Sequence, residues 1–186
     1  MDFEWIKVAK KYIDLVKEYL DLYQEKGYVE LSLDLKLSEI YNLDMTRFVM
    51  YLIASDNSIS IDEVEVYRYL TGYCGDNLSS IKANIEDGDV TSYDFQSSIP
   101  NSLKIAVNST NKIIQYNDNA KTELFFRTYV SSFVFAGREI MRADERISYQ
   151  ERRDFELYIR NLIAYIEERS YEIFDEPLEN LVTDNI

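Results

Sequence analysis

A chain of 186 residues is the size of one domain, and at this length roughly 70% of the unfolded surface can be buried, so a core needs no covalent staples. Its net charge of −14 disfavours direct binding to nucleic acid or anionic lipid and makes cations or basic protein surfaces the natural partners. The absence of histidine excludes Ser-His-Asp and Cys-His catalysis, histidine zinc sites and Glu-x-x-His di-iron pairs, and leaves only hard metals held by oxygen ligands.

With 5 glycines and 2 prolines, turn formers are scarce, which predicts long helices and short loops. Asp2 is placed to cap a first helix in which Ile6, Ala9, Ile13, Val16, Leu20 and Tyr23 recur at steps of three and four, with Gly27 at its end. Leu31, Leu33, Leu35 and Leu37 then alternate with polar residues at a strand period. A lone strand has no mate here, so this stretch is read as an extended lead-in to a second helix. Asp44 is the expected N-cap of a buried helix carrying Phe48, Tyr51, Leu52 and Ala54. That mostly apolar run, Phe48 to Ala54, is far too short to cross a bilayer.

Beyond the segment Ser55 to Ser60, Val64, Tyr67, Leu70 and Tyr73 or Cys74 form the next apolar stripe, which Gly75 is expected to close. A short helix from Asp76 or Asn77 holds Leu78, Ile81 and Ile85, and the polar stretch 86–98 reads as the longest loop, joining two halves. Pro100 suits a helix first turn, and Leu103, Val107 and Ile114 continue that helix to about Tyr116. Asn117 or Asp118 is the expected start of the next, with Leu124, Phe125, Thr128, Ser132, Phe135 and Ile140. The last long helix runs from Tyr149 to about Glu168 with Phe155, Tyr158, Leu162, Tyr165 and Ile166 on one side. The acidic end, 175–186, reads as a flexible tail that Leu178 and Leu181 are able to dock.

Cys74 is the only cysteine, so it has no internal disulfide partner, and without a cationic neighbour it reads as a small core residue. The start Met1-Asp2-Phe3-Glu4-Trp5 has neither the basic residues nor the apolar stretch of a secretory signal. Both features predict a reducing, cytoplasmic setting.

One pattern occurs twice. Asp56, Ile59, Ser60, Glu63 and Tyr67 match Asp144, Ile147, Ser148, Glu151 and Phe155 at a constant offset of 88, each time between two helices. The repeat predicts a duplicated helix-loop-helix. The spacing of Asp56, Ile59 and Glu63, and of Asp144, Ile147 and Glu151, is that of positions five, eight and twelve of a calcium loop. Positions one and three are Leu52 and Ala54 in one copy and Ile140 and Arg142 in the other, which excludes a true EF-hand. Two readings stand. Ser60-x-x-Glu63 and Ser148-x-x-Glu151 form capping boxes, with Ile59 and Ile147 as staples or buried between loops. Alternatively, Asp56, Glu63, Asp144 and Glu151 line a site for a divalent cation such as calcium or magnesium.

Ala54-Ser55-Asp56-Asn57-Ser58-Ile59-Ser60-Ile61-Asp62-Glu63, followed by Gly75-Asp76-Asn77-Leu78-Ser79, resembles the TerB-like family of tellurite-resistance and related proteins, and so does Arg142-Ala143-Asp144-Glu145-Arg146-Ile147-Ser148-Tyr149-Gln150-Glu151. The likeness covers about 44–86 and 118–166. It implies a single all-α domain, 1–174, a bundle of about seven helices with an internal pseudo-twofold repeat. It further implies a bacterial cytosolic protein, a divalent cation at Asp56, Glu63, Asp144 and Glu151, and a non-enzymatic interaction module for a protein partner in stress or defence.

Sixteen tyrosines offer a binding face, with Tyr12, Tyr19, Tyr23, Tyr158 and Tyr165 its best candidates, or simply edge the core. Arg138, Arg142, Arg146, Arg152 and Arg153 gather around the second motif, which predicts salt bridges between the two motif loops or a dock for the acidic tail. A different class of function, an acidic inhibitor or decoy of a nucleic-acid-binding protein, follows from the charge and the tyrosines. A carboxylate-metal hydrolase lacks a general base in this composition.

Overall fold

The computed structural model describes residues 3–29, 31, 35–55, 59–72, 79, 83, 98–117, 122–143 and 147–183. Among the described residues there are seven helices and no strand: α1 (Phe3–Glu25), α2 (Leu37–Ala54), α3 (Ile61–Thr71), α4 (Asn101–Tyr116), α5 (Glu123–Ala143), α6 (Tyr149–Arg169) and α7 (Asn180–Thr183). The class is all-α, as expected. The predicted short helix after Asp76 and the loop at 86–98 lie largely outside the described residues, although Ser79 and Ala83 are helical. Cys74 and Gly75 lie outside them too.

The architecture is a set of helices wrapped around α5, which packs against α1, α2, α3, α6 and α7. Its sequence explains the position. Phe125, Phe126, Tyr129, Val130, Phe133, Val134, Ala136, Ile140 and Met141 are buried on several sides, and the polar residues among them are small enough to satisfy themselves locally. Thr128 Oγ1 donates to the Leu124 carbonyl at 2.7 Å and Ser132 Oγ to the Tyr129 carbonyl at 2.6 Å, so neither needs water. The longest contact is with α1, whose predicted stripe of Ile6, Ala9, Ile13, Val16, Leu20 and Tyr23 is buried throughout.

Aromatic rings carry the core from one side to the other. Tyr23 meets Phe125 at 5.2 Å between ring centroids, Phe125 meets Tyr129 at 5.9 Å, and Tyr129 meets Phe133 at 5.3 Å. Phe48 then joins Phe133 at 5.1 Å and Tyr158 at 4.9 Å, linking α2 and α6 through α5. Such pairs add about 0.5–1.5 kcal/mol each beyond the area they bury. Close approach is obtained with a glycine: a Cβ built on Gly137 would lie 2.6 Å from Cδ2 of Phe155 and 3.1 Å from Cζ of Phe48. A helix-interior glycine costs about 1 kcal/mol relative to alanine, and here it lets two rings reach the α5 backbone.

Several boundaries differ from the sequence expectation, each for a visible reason. α2 begins at Leu37, not near Asp44, because Gln24 of α1 bridges its start: Nε2 donates to the Leu35 carbonyl at 3.0 Å, and Oε1 accepts the Leu37 N–H at 2.8 Å. α3 ends at Thr71 because Gly72 takes a left-handed C-cap with φ +72°, three residues before the expected Gly75. α5 begins at Glu123 rather than at Asn117 or Asp118, preceded by Thr122, whose N–H and hydroxyl both donate to Oε2 of Glu172. α4 starts after Pro100 and ends at Tyr116, and α6 starts at Tyr149, as expected.

The acidic end is held in place through Thr183. Phe174 packs on Phe126 at 6.0 Å, Leu178 is 0% exposed, Val182 is buried and Leu181 half-buried. Arg127 donates to the Glu176 carbonyl, and the Asp175 N–H to Glu123 Oε2 at 3.4 Å. These contacts fall on the N-terminal half of α5. Arg127 and Arg142 are fifteen residues apart on that helix, about 22 Å along its axis, so these contacts lie far from Arg142 at its other end.

Candidate functional site

Both copies of the repeated motif open a helix, and they do so with the same bonds. Ser60 Oγ accepts the Glu63 N–H at 3.1 Å while Glu63 Oε2 accepts the Ser60 N–H at 2.7 Å. At the second copy Ser148 Oγ accepts the Glu151 N–H at 3.0 Å and Glu151 Oε2 the Ser148 N–H at 2.8 Å. Two donors left over at each helix start are thereby satisfied reciprocally. Glu63 and Glu151 are both 0% exposed, which makes each box part of the core's edge and not a solvated turn.

That burial bears on the cation reading. Of the four expected ligands, Asp56 and Asp144 lie outside the described residues. Glu63 and Glu151 sit on separate helices, α3 and α6, with Oε2 of each committed to the backbone of its own cap. Calcium takes about six to eight oxygens, far more than two capping carboxylates supply. Among the described residues no group of three or more Asp, Glu or Cys side chains is placed to hold a metal ion.

The two isoleucines of the motif part company. Ile59 is half-buried against the core, whereas Ile147 is 53% exposed and does not act as a buried staple. It lines a cleft instead. The C-terminal turns of α5 supply Arg138, Met141 and Arg142, and the entry and first turn of α6 supply Ile147, Ser148, Tyr149 and Arg152; together they line an open cleft of about 370 Å³. Positions 138, 141 and 142 share a helix face by the three-and-four rule, and 149 and 152, one turn apart at the start of α6, line the same cleft.

Three of the arginines that gather around the second motif line this one cleft, in a chain of net charge −14. Arg142 Nη1 donates to Glu139 at 3.2 Å, and its guanidinium lies 5.8 Å from the centre of the Trp5 ring. Arg152 donates through Nε to Glu156 at 3.0 Å. Arg138 stands 6.0 Å over the Phe135 ring, and partial burial, together with the like charge of Arg142, lowers its pKa below the ordinary arginine value; it stays cationic. Among the described residues, the ion pairs of Arg142 and Arg152 are thus made along their own helices. Arg142 at a helix C-terminus suits the macrodipole; Arg152, early in α6, opposes it and has no stability rationale from that source.

The tyrosines singled out for a binding face mostly serve the core. Tyr23 and Tyr158 are buried, Tyr12 stacks on Phe135 at 4.9 Å, Tyr19 packs edge-on against Phe125 at 5.9 Å, and Tyr165 is half-buried. The exposed aromatic at the cleft is Tyr149, 82% exposed, with half-exposed Trp5 beyond Arg142. Tyr149 carried no sequence signal of its own. Trp5 reaches this end only because α1 lies along α5.

A second polar constellation is buried. Asp44, in the middle of α2, accepts the Ser102 N–H at 2.8 Å on Oδ2 and so caps α4 from another helix. Ser102 Oγ and the Tyr129 hydroxyl are 2.8 Å apart, and the Tyr41 hydroxyl donates to Ser132 Oγ at 2.7 Å. Burial raises the Asp44 pKa above the usual carboxylate value, partly offset by the bonds from Ser102 and Asn101 and by Arg47. Tyr41 and Tyr129 are likewise pushed well above the ordinary tyrosine value by burial and remain neutral. Every hydroxyl in this network is tied to a structural partner.

Searched against family models, curated proteins and solved structures, the chain matches none of them.

Proposed function

We propose that this chain is a non-enzymatic helical module of the TerB-like kind, built from a duplicated helix-loop-helix, and that it binds a protein partner at the junction of α5 and α6. The observation that carries the reading is the cleft there, with Ile147 and Tyr149 exposed beside it. Exposed apolar and aromatic side chains rimmed by arginines match the composition of binding hot spots. The carboxylates that best suited chemistry, Glu63 and Glu151, are buried as helix caps, which supports binding over catalysis. The duplication is supported by the two boxes having the same bonds in the same order. The stress or defence setting rests on the family resemblance alone.

The test is capture from native cytosol by the immobilised full chain, quantified for wild type and for Tyr149→Ala with Ile147→Ala. Both side chains are largely exposed, so the double variant keeps its fold. Loss of a captured protein by about tenfold or more is expected from two hot-spot truncations. An identical captured set would place the interface elsewhere.

A further inference from the structure

We propose that the cleft framed by Arg138, Arg142 and Arg152 receives an acidic segment of the protein partner, its carboxylates on the guanidinium groups and an apolar side chain against Met141, Ile147 and Tyr149. The proposal rests on the partner-binding reading above and names the chemistry of the partner. It runs against the net charge of −14, which by itself points to basic partners. Local geometry decides otherwise, because charges more than about 10 Å away are screened at ordinary salt while groups in contact are not.

Four observations favour a peptide carboxylate. The arginines come from two helices and line one open cleft of about 370 Å³, within the usual range of a binding site. Two of them already take carboxylates along their own helices, Arg142 from Glu139 at 3.2 Å and Arg152 from Glu156 at 3.0 Å. Each of those pairs uses one of the five N–H donors of a guanidinium, leaving a fork of the shape that a second carboxylate accepts. Arg138 feels Arg142 as a like charge and the Glu139 carboxylate as a favourable one, so a carboxylate is the counter-charge that this pair of arginines takes. The walls are apolar as well as cationic, which suits a chain segment carrying both kinds of side chain and does not suit a free inorganic anion. The chain's own acidic end is not the occupant through Thr183, since Phe174, Asp175 and Glu176 are held on Phe126, Glu123 and Arg127 at the far half of α5.

The experiment measures fluorescence anisotropy of a labelled peptide of repeating Glu-Asp-Leu-Glu units with the full chain. A Gln-Asn-Leu-Gln peptide and inorganic phosphate as competitor serve as controls. Binding of the acidic peptide is expected, weakened about tenfold or more by Arg138→Gln with Arg152→Gln and severalfold by Tyr149→Ala, with the amide peptide and phosphate ineffective. Arg152→Gln alone guards against misfolding, because its side chain is 58% exposed, and it is expected to weaken binding severalfold. Equal binding of the amide peptide, arginine variants that bind like wild type, or displacement by phosphate at the peptide's own concentration would each overturn the proposal. If no acidic peptide binds while Tyr149→Ala with Ile147→Ala still loses the captured protein, the acidic ligand is wrong and the module reading stands. If the acidic peptide binds through the arginines while capture is unchanged, the partner reading fails.

Discussion

Asp44 shows how little a residue's identity says until its neighbours are known. In the sequence it reads as the cap of its own helix; in the fold it sits in the middle of α2 and caps α4, 58 positions further on. The buried carboxylate accepts a backbone N–H, so removing it leaves that donor unsatisfied. Asp44→Ala is expected to cost about 1–3 kcal/mol in urea unfolding at neutral pH. Asp44→Asn keeps an acceptor without a charge to desolvate and separates the two effects. Because the folded pKa is raised, the folded state takes up the proton at higher pH than the unfolded chain does. The Asp44 contribution to stability is therefore greatest below the ordinary carboxylate range and declines as pH rises through the raised folded value. Wild type should lose stability relative to Asp44→Asn across that window, measured as urea midpoints on both sides of it. Parallel pH profiles would show that burial does not dominate at this residue.

Helix starts are where local sequence speaks most directly. A capping box is closed by residues three apart, so Ser60-x-x-Glu63 and Ser148-x-x-Glu151 were readable without any tertiary information, and both formed. Ser60→Ala and Ser148→Ala are each expected to cost about 1 kcal/mol in thermal or urea unfolding, and their sum when combined, since they cap different helices. A much larger loss at either position would mean that the serine also holds something besides its helix. The ends α2 and α3 actually use were less legible. Gln24 of α1 fastens the start of α2, and Gly72 was preferred to Gly75 by a left-handed turn that a three-residue shift in the sequence hardly distinguishes.

Across the whole molecule, α5 is the common surface against which the other helices pack, and the acidic end completes it. Leu178 is 0% exposed and lies in a chain segment that the composition marks as a tail. Leu178→Ala should destabilise the fold by about 2–5 kcal/mol, as a buried leucine does, when unfolding is followed by circular dichroism. A change below about 0.5 kcal/mol, the range of surface substitutions, would show the segment to be dispensable. The same central helix sets two functional ends apart: the acidic segment docks on its first half, and the arginine cleft opens at its last turns.

The all-helical class, the buried stripe of α1, the span of α6 and both capping boxes were legible in the residues alone. Each of these is written in spacings of three and four residues, within reach of a single helix turn. It took the packing of the helices to settle that Asp44 serves α4, that Ile147 faces a cleft while Ile59 does not, and that the acidic end is held away from Arg142. Those outcomes depend on which helices become neighbours, and that choice is made by side-chain packing between segments tens of residues apart. Gly137 is the clearest instance: within its own helix it is a weak helix former, and its reason is the pair of rings, Phe48 and Phe155, that approach from two other helices.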